Sequence, residues 1–468
     1  MPHLLSAASE ICTGAVGQGK TLWIIYKVVQ SLIFGRPCAY IDPKGDGYLT
    51  LLAFLATTEQ GQYLWELRRD RILLLNPVSP SSWALGFNAL APFGQFPHAA
   101  PDPVALLANT VVSHFRQQGG FELDEANRLQ NILSAAIGLL ADGGKGEYTL
   151  DQLRTLFLPA IAPKGTPTPP YNAFVRHLLS RATHTGTRSF WEEQWRTWTS
   201  HARGEWTQSS AGRVWPNIFD ERSRLVTCTV EQATLDFRRI VGEGYWLFVN
   251  LPYAFLSDTV TTTLGNLLIT RILYAAMQRR LDAPPYRLIL DEARFFNSGP
   301  LTTILETSRA YNLWLTLVVQ SVDQLCRSHQ GRADERLKKA VLELCRYFCI
   351  FHDPEDAKDL AALMFPLTGQ VVTGIRTTGD WEYLPTAAEE DEHRWRFMRL
   401  RHREMVFFDK LGGEAAQVWR TPDVLMDPPD EDQVTVFEDK HLRRIGRPLA
   451  DLRAEEEARR QRVGEIMG

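Results

Sequence analysis

Residues 14–21, Gly-Ala-Val-Gly-Gln-Gly-Lys-Thr, have the composition and spacing of a loop that binds phosphate groups. They match the pattern G-x-x-x-x-G-K-[ST], in which backbone N–H groups surround the phosphates, the lysine reaches the β- and γ-phosphates and the hydroxyl binds Mg²⁺. A glycine-rich turn that contains Lys-Thr by chance is the alternative, so a second site is needed. The pattern assigns phosphate binding to Gly14, Gly17, Gln18, Gly19, Lys20 and Thr21, and Mg²⁺ binding to Thr21.

That second site is an acidic pair, Asp291 and Glu292, which follows the apolar run Arg287–Leu290. A carboxylate at the carboxyl end of a strand can hold Mg²⁺, and the next carboxylate can polarise the attacking water. Alone the pair is weak support, because an apolar strand followed by Asp-Glu is common where a helix begins. Together with the phosphate loop it predicts that the chain binds and hydrolyses ATP.

A further polar residue, Gln320, ends the next predicted strand, "LWLTLVVQS". A polar side chain beside the acidic strand can lie between the γ-phosphate and a mobile element. A plain strand end explains Gln320 equally well from the residues alone.

The segments that must position these residues alternate between strand and helix patterns. A helix is predicted from Thr21 to Phe34, and a mediocre strand from Leu4 to Cys12, which contains Ser6, Ser9 and Glu10. Alternation of short apolar runs with helices indicates a mostly parallel sheet covered on both faces, an α/β fold. Further strands are predicted within 37–42, 70–77, 244–252, 287–290, 346–352, 404–409 and 415–420.

Between about residues 100 and 240 the pattern becomes helical, with little that indicates a strand. We therefore predict an all-α domain inserted into the α/β domain. Its Trp-rich stretch, which also contains Trp206, places Trp191, Trp195 and Trp198 on one face of a helix. Aromatic side chains can stack on nucleic-acid bases, but this helical spacing more often marks a buried face, which we favour.

Composition limits the remaining possibilities. The chain has 468 residues, of which 44% are hydrophobic, and a net charge of −4. This net charge argues against a protein whose entire surface binds polyanions, but it allows a local basic channel. Its 6 cysteines lack C-x-x-C spacing, so we interpret them as reduced core residues and not as zinc ligands. With no signal peptide and no membrane-spanning stretch in the pattern, we expect a cytoplasmic protein. The charged tail from about residue 427 is interpreted as a solvated helix or a disordered arm.

The ordered motifs resemble the FtsK–HerA superfamily of DNA-translocating ATPases, and within it the coupling proteins of conjugation and type IV secretion, the TraG/TraD type. The resemblance extends over roughly residues 1–425. It implies a RecA-like P-loop NTPase core with an inserted all-α domain, assembled as a ring of six around DNA. The segments that carry it are "GAVGQGKT", "YIDPKGDGYL", "LLLNP", "WLFVNLP", "LILDEARFF" and "ETSRAYNLWLTLVVQS".

By position, the resemblance also implies roles for individual residues. Asp42 and Lys44 would border the nucleotide, although a β-turn explains them almost as well. Arg309 would be an arginine finger that enters a neighbouring subunit's site, and its alternative is a surface arginine in a weak salt bridge. The resemblance makes Lys20 and Thr21 the phosphate and Mg²⁺ ligands, Asp291 a Mg²⁺ ligand, Glu292 the catalytic base and Gln320 the sensor.

The predicted organisation is a nucleotide-binding domain in two parts, 1–99 and 241–425, with the insertion at 100–240 and the tail at 426–468. The predicted cofactors are ATP and Mg²⁺. The predicted partners are DNA in a central pore, further copies of the chain in a hexamer, and a relaxosome or a membrane subunit of a secretion channel. Through such partners the protein would act at the inner face of the cell membrane.

Coupling proteins of this family usually begin with transmembrane helices, whereas this sequence reaches the phosphate loop within a few residues. A soluble relative, a truncated chain and a partner of a separate membrane subunit are all consistent with that. Three other functions stay open: a HerA-like ATPase of DNA processing or defence, a scaffold whose oligomer is locked by nucleotide, and a small-molecule kinase. The chain's size and the lack of a recognisable acceptor pocket disfavour the kinase.

Overall fold

The computed structural model of this chain describes residues 7–93, 96–97, 101–116, 123–159, 169–205, 207, 220–230, 234–280, 282–296, 298–326, 335–365, 367–375, 381–412, 416–424 and 430–468. The chain divides into two units. The first, which we call the sheet unit, comprises Met1–Asp42, Asp46–Arg68 and Pro284–Pro429. The second, the helical unit, comprises Pro43–Gly45, Arg69–Ala283 and Asp430–Gly468.

The strands form where the sequence has short apolar runs. In chain order they are β1 (Glu10–Thr13), β2 (Cys38–Asp42), β3 (Ile72–Leu75), β4 (Trp83–Ala84), β5 (Trp246–Asn250), β6 (Tyr286–Leu290), β7 (Leu313–Val318), β8 (Tyr347–Ile350), β9 (Val372–Ile375), β10 (Trp381–Tyr383), β11 (Glu404–Asp409), β12 (Gln417–Arg420) and β13 (Arg447–Pro448).

The helices occupy most of the intervening chain. They are α1 (Lys20–Ile33), α2 (Asp46–Thr57), α3 (Glu59–Arg68), α4 (Pro103–Arg116), α5 (Leu123–Asp142), α6 (Leu153–Leu156), α7 (Ala173–Arg181), α8 (Thr185–Ser189), α9 (Trp195–Thr197), α10 (Glu221–Thr227), α11 (Phe237–Gly242), α12 (Tyr253–Met277), α13 (Ser298–Tyr311), α14 (Arg336–Leu344), α15 (Ala357–Met364), α16 (Thr386–Met398), α17 (Glu431–Ile445) and α18 (Leu449–Met467).

In the sheet unit the strands are arranged in the order β12-β11-β8-β1-β7-β6-β2. β8, β1, β7, β6 and β2 are parallel, and β11 is antiparallel to both of its neighbours. Parallel strands end at the same edge of a sheet, so the residues that follow β1, β2, β6, β7 and β8 gather there. β1, β2, β7 and β8 are buried along their whole length, as expected for strands covered on both faces. The predicted α/β fold with a mostly parallel sheet is confirmed.

Residues 4–6 of the first predicted strand lie outside the described residues; of the rest, β1 contains Glu10–Cys12, and it ends at Thr13. Its weak pattern has a physical reason, because Glu10 is 2% exposed and forms a buried ion pair with Lys27 of α1. Burial on its own raises the pKa of Glu10, but the positive charges of Lys27 and Arg287 outweigh it, so that this pKa lies below its ordinary value. A carboxylate inside a strand is therefore tolerated because two cations accompany it.

The helical unit contains two small strand pairs, parallel β3–β5 and antiparallel β4–β13. Between residues 101 and 242, the part of the chain that the structure describes forms helices and no named strand, apart from an isolated bridge between Asn88 and Cys228. The helical structure predicted for the insertion is therefore confirmed for the described residues of this region. Within the described helices, none is both long enough and apolar enough to cross a membrane.

The Trp-rich stretch packs inside the helical unit. Trp191 and Trp195 are buried, and their indole N–H groups donate to Ala135 O at 3.2 Å and Pro170 O at 2.8 Å. Trp198 is half-buried, with its ring centroid 5.5 Å from that of Trp195. These contacts support the core interpretation, while Trp206 lies outside the described residues.

The charged C-terminal segment forms two helices, α17 and α18. Its interpretation as a solvated helix or a disordered arm is wrong for one face of α18, where Glu455, Glu456 and Arg459 are buried. Glu456 accepts from Arg224 Nε at 2.6 Å, and Arg459 donates to Cys228 O at 2.7 Å. Pairing with charges elsewhere in the helical unit explains why charged residues are buried here.

Candidate functional site

The phosphate loop connects β1 to α1, and its glycines are required by its shape. Gly14 has φ 142°, and a Cβ atom there would lie 2.7 Å from Phe351 Cβ. Gly19 has φ 99° and precedes the first residue of α1. The loop is also held by the neighbouring strand, because Ala15 N donates to His352 O at 2.8 Å. A helix N-terminus that follows a glycine-rich loop favours bound anions.

Lys20 occupies the loop. It is 8% exposed, and its Nζ donates to Gly14 O at 2.5 Å and to Ala15 O at 2.8 Å. The ammonium group therefore lies at the centre of the predicted phosphate cradle. Gln18 is two residues earlier in the loop, and its carbonyl oxygen accepts from Arg403 N at 3.2 Å.

Two predicted metal ligands, Thr21 and Asp291, are in contact. Thr21 Oγ1 donates to Asp291 Oδ2 at 3.1 Å, which joins the first turn of α1 to the end of β6. Asp291 is 3% exposed, and its other oxygen accepts from Glu292 N at 2.9 Å. A hydroxyl and a carboxylate at this place supply the hard oxygen ligands that Mg²⁺ takes in nucleotide sites.

Asp42 belongs to the same group of strand ends. It is buried at the end of β2 and accepts from Tyr48 N at 2.9 Å. A Cβ atom on Gly47 would meet both Thr21 Cγ2, at 2.9 Å, and Asp42 Oδ2, at 3.2 Å, so both residues border Gly47. Lys44 is half-buried and belongs to the helical unit.

The predicted base, Glu292, is held by two side chains. Gln320 Nε2 donates to Glu292 Oε1 at 3.0 Å, and Arg294 Nε donates to Oε2 at 3.2 Å. Glu292 is 3% exposed and has φ 43°, ψ 54°, a left-handed conformation that costs a residue with a Cβ atom roughly 1–2 kcal/mol. Strain of this kind concentrates at functional sites. Gln320 itself lies two residues beyond β7, which ends at Val318.

Arg309 is exposed near the end of α13. Its side chain forms no hydrogen bond or ion pair with any residue that the structure describes, including the other predicted site residues. The structure thus brings together Lys20, Thr21, Asp291, Glu292 and Gln320 at one sheet edge, and it does not bring Arg309 to them within one chain.

Sequence reasoning missed two buried carboxylates that follow β8, Asp353 and Asp356. Thr13 Oγ1 donates to Asp353 Oδ2 at 2.9 Å, and Ser321 Oγ donates to Asp356 Oδ1 at 3.1 Å. Burial raises the pKa of Asp353, and burial together with the neighbouring Asp353 raises the pKa of Asp356 to about 6. The signal for them was present, since the run His-Asp-Pro-Glu-Asp follows a predicted strand of the parallel sheet.

Arg294 and Arg403 were also missed. Arg403 has φ 67°, and its Cγ lies 3.2 Å from the position of a Cβ atom on Gly19. Its guanidinium forms an ion pair with Asp423. Arg294 lies within the segment "LILDEARFF", two residues after Glu292, so its position in that segment was a signal for it. Arg403 lies outside the motif segments, and only the folded structure assigns it to the surroundings of the site.

Neither a family profile nor a curated protein sequence matches the chain significantly. Solved structures do. The bacterial conjugative coupling protein TrwBΔN70, in its unbound form, is similar with a TM-score of 0.58 and 15% identity over 92% of this chain and 87% of that chain. The plasmid coupling protein TrwB in complex with ADP and Mg²⁺ is similar with a TM-score of 0.55 and 14% identity, over 92% and 89%.

VirB4 of Thermoanaerobacter pseudethanolicus is similar with a TM-score of 0.50 and 15% identity, over 91% of each chain. At these identities the likeness establishes a shared fold. The RecA-like fold that the motif resemblance implied is therefore confirmed.

Proposed function

We propose that this chain is an ATPase motor that moves DNA, of the coupling-protein type found in conjugation and type IV secretion. The observation that carries the proposal is the assembly, at one sheet edge, of a phosphate loop, the pair Thr21–Asp291 and the pair Glu292–Gln320. The complex of the structurally similar TrwB with ADP and Mg²⁺ supports the choice of nucleotide and metal.

In this proposal each group has a chemical task. Lys20 and the loop N–H groups would bind the phosphates, while Thr21 and Asp291 would hold Mg²⁺, which would supply positive charge to offset that of the phosphates. Glu292 accepts a proton from the attacking water, and Gln320 fixes the orientation of the Glu292 carboxylate. Arg309 would act from one subunit on the site of the next in a hexameric ring, where a guanidinium offsets the charge of the transition state.

DNA binding needs a local positive surface, because the chain as a whole has a net charge of −4. A surface with that property lies at the end of α16; we call Trp395, Arg396, Arg399 and Arg401 the arginine surface. All four side chains are exposed, and Arg399 Cζ lies 5.2 Å from the ring centroid of Trp395. Within the described part of the chain, the three arginines form no ion pair. Guanidinium groups beside an exposed indole suit phosphate contact and base stacking.

The experiment that tests the proposal measures ATP turnover with and without DNA, together with the native mass. We expect turnover that rises on adding DNA and a mass of an oligomer in the presence of nucleotide. Turnover that DNA leaves unchanged, together with no DNA binding at low salt, would favour a scaffold whose oligomer is locked by nucleotide.

The arginine surface is tested by charge reversal. Replacing Arg396 and Arg399 with Glu should weaken DNA binding and reduce the slope of log K against log salt by about 1 for each phosphate that the variant no longer binds. Arg176→Glu combined with Arg238→Glu, at two exposed arginines of the helical unit, changes the net charge by the same amount; it is the matched control and should bind like the wild type. Equal weakening in the control and the test variant would mean that net charge, not this surface, determines binding.

A further inference from the structure

One short segment after β8, residues 351–356, contacts the beginning of the phosphate loop. Phe351 N donates to Thr13 O at 2.9 Å, and the next carbonyl, of His352, accepts from Ala15 N at 2.8 Å. The third contact is made by a side chain, since Thr13 Oγ1 donates to Asp353 Oδ2. These three consecutive residues thus fix the chain on both sides of Gly14.

The same segment holds the residues that follow Gln320. The carboxylate of Asp356 accepts from Ser321 Oγ at 3.1 Å and from Val322 N with its other oxygen. Ser321 Oγ accepts in turn from Asp323 N at 3.2 Å. Gln320 directly precedes Ser321, and its side-chain amide donates to Glu292.

The two carboxylates are themselves connected. Asp353 Oδ1 accepts from Asp356 N at 3.0 Å, so both lie in one turn. Asp353 is 1% and Asp356 4% exposed, and within the described residues neither is paired with a lysine or an arginine. A buried carboxylate without a cation is costly, so stability alone does not explain two of them. Their four oxygens serve as acceptors for N–H and O–H groups of the site.

We propose that Asp356 is a positioning residue for ATP hydrolysis: it fixes residues 321–322 so that the Gln320 amide stays on Glu292. Through Asp353 and Thr13 this position is tied to the phosphate loop, which makes the placement of Gln320 depend on how the loop is arranged. The inference rests on the proposed ATPase function and adds a second group of residues to its site.

The test is Asp356→Asn, which keeps the shape of the side chain but leaves one acceptor oxygen for two donors. We expect kcat for ATP to fall about tenfold to a hundredfold, because misplacing a catalytic group lowers the rate by about this factor. KM should change by less than about threefold. Asp359→Asn is the matched control and should keep the wild-type kcat, because Asp359 is an exposed carboxylate on α15, the helix that begins directly after Asp356, and it pairs with Lys338.

A double variant separates positioning from general structure. If Asp356 acts through Gln320, then Asp356→Asn combined with Gln320→Ala has the same kcat as Gln320→Ala alone. Multiplied losses in the double variant, or a wild-type kcat in Asp356→Asn, would overturn the inference. If Asp356→Asn does not fold, Ser321→Ala removes one of the two hydrogen bonds and should show the same dependence on Gln320, with a smaller decrease in kcat.

The inference and the proposed function fail in different ways. Absence of ATP turnover in the wild-type chain overturns both. Turnover in the wild type that falls in Gln320→Ala but is unaffected by Asp356→Asn and Ser321→Ala overturns the inference and leaves the ATPase intact.

Discussion

The side-chain amide of Gln320 donates to both carboxylate oxygens of Glu292, at 3.0 and 3.3 Å. The two residues come from different strand ends, and Glu292 adopts a left-handed backbone conformation where it makes this contact. A carboxylate held in this way has its orientation determined by the protein before a substrate arrives, which is what a general base requires.

Glu292→Gln should therefore abolish ATP hydrolysis while nucleotide still binds. The substitution keeps the size of the side chain and removes the group that accepts the proton, which is worth about 10²–10⁴ in rate. Thr21 and Asp291 stay in place, so binding of a fluorescent ATP analogue should be close to that of the wild type. Turnover near the wild-type value in this variant would remove Glu292 from the reaction.

Lys20→Ala should lose both turnover and tight nucleotide binding. The ammonium group is the one cation inside the described phosphate loop, where it contacts Gly14 O and Ala15 O. Turnover and binding of the analogue are measured side by side with Glu292→Gln, and near-identical circular dichroism of the variants serves as the control for folding. Retention of tight binding in Lys20→Ala would contradict the assigned phosphate site.

How far the sequence predicts this site depends on whether a residue's partner is near in the chain. The phosphate loop and the pair Asp291–Glu292 are local patterns, and their meeting follows from the parallel sheet. Thr13 and Asp353 are 340 positions apart, and their contact depends on β8 lying beside β1, which the spacing of motifs does not predict.

The same reason explains two misjudged segments. Glu10 weakens the pattern of β1, since its partner Lys27 is assigned only by the fold. The charges of α18 suggest exposure to solvent, but Glu456 is buried against Arg224, 232 positions away. Outside a recognisable motif, the sequence does not show the partner of a charged residue when that partner lies in another element, as for Glu10 and Glu456.

Lys27→Met should destabilise the sheet unit strongly. It removes the ion-pair partner of the buried Glu10 carboxylate and leaves the charge of Arg287 nearby, and breaking a buried pair costs up to about 3–5 kcal/mol. Lys339→Met is the matched control, because Lys339 forms an exposed pair with Glu343 at 3.9 Å, and it should change the free energy of unfolding by less than about 1 kcal/mol. Denaturant unfolding measures both, and equal midpoints for the two variants would contradict the assignment.

His441→Gln should make the chain less sensitive to mild acid. Burial lowers the pKa of His441 to about 4 in the folded chain, where its Nε2 contacts Ile72 O at 2.9 Å. The unfolded chain takes up a proton near the ordinary histidine pKa of about 6.5, so stability from this residue is present above that pH and declines as the pH falls towards 4.

The decline for the wild type is about 3 kcal/mol across that range. Thermal unfolding at pH 7 and pH 4.5 measures it as the difference between the wild type and His441→Gln, which retains a donor for Ile72 O. Equal acid sensitivity of the two proteins would show that His441 is charged in the folded state or is not the group that responds.

Arg309 should act between subunits. Its side chain is exposed near the end of α13, and no ion pair of it is found within the described residues, as expected for a group whose partner belongs to another chain. Arg309→Ala should bind ATP and be nearly inactive, because arginine fingers supplied by a neighbour contribute on the order of 10³–10⁵ in rate. Arg176→Ala, at another exposed arginine, is the control and should keep full turnover.

Mixing Arg309→Ala with inactive Glu292→Gln should restore part of the activity, since some interfaces then combine an intact base with an intact finger. If mixed oligomers form and stay inactive, either Arg309 acts within its own chain or every subunit must hydrolyse ATP in turn; full activity of Arg309→Ala alone shows that it is not a finger.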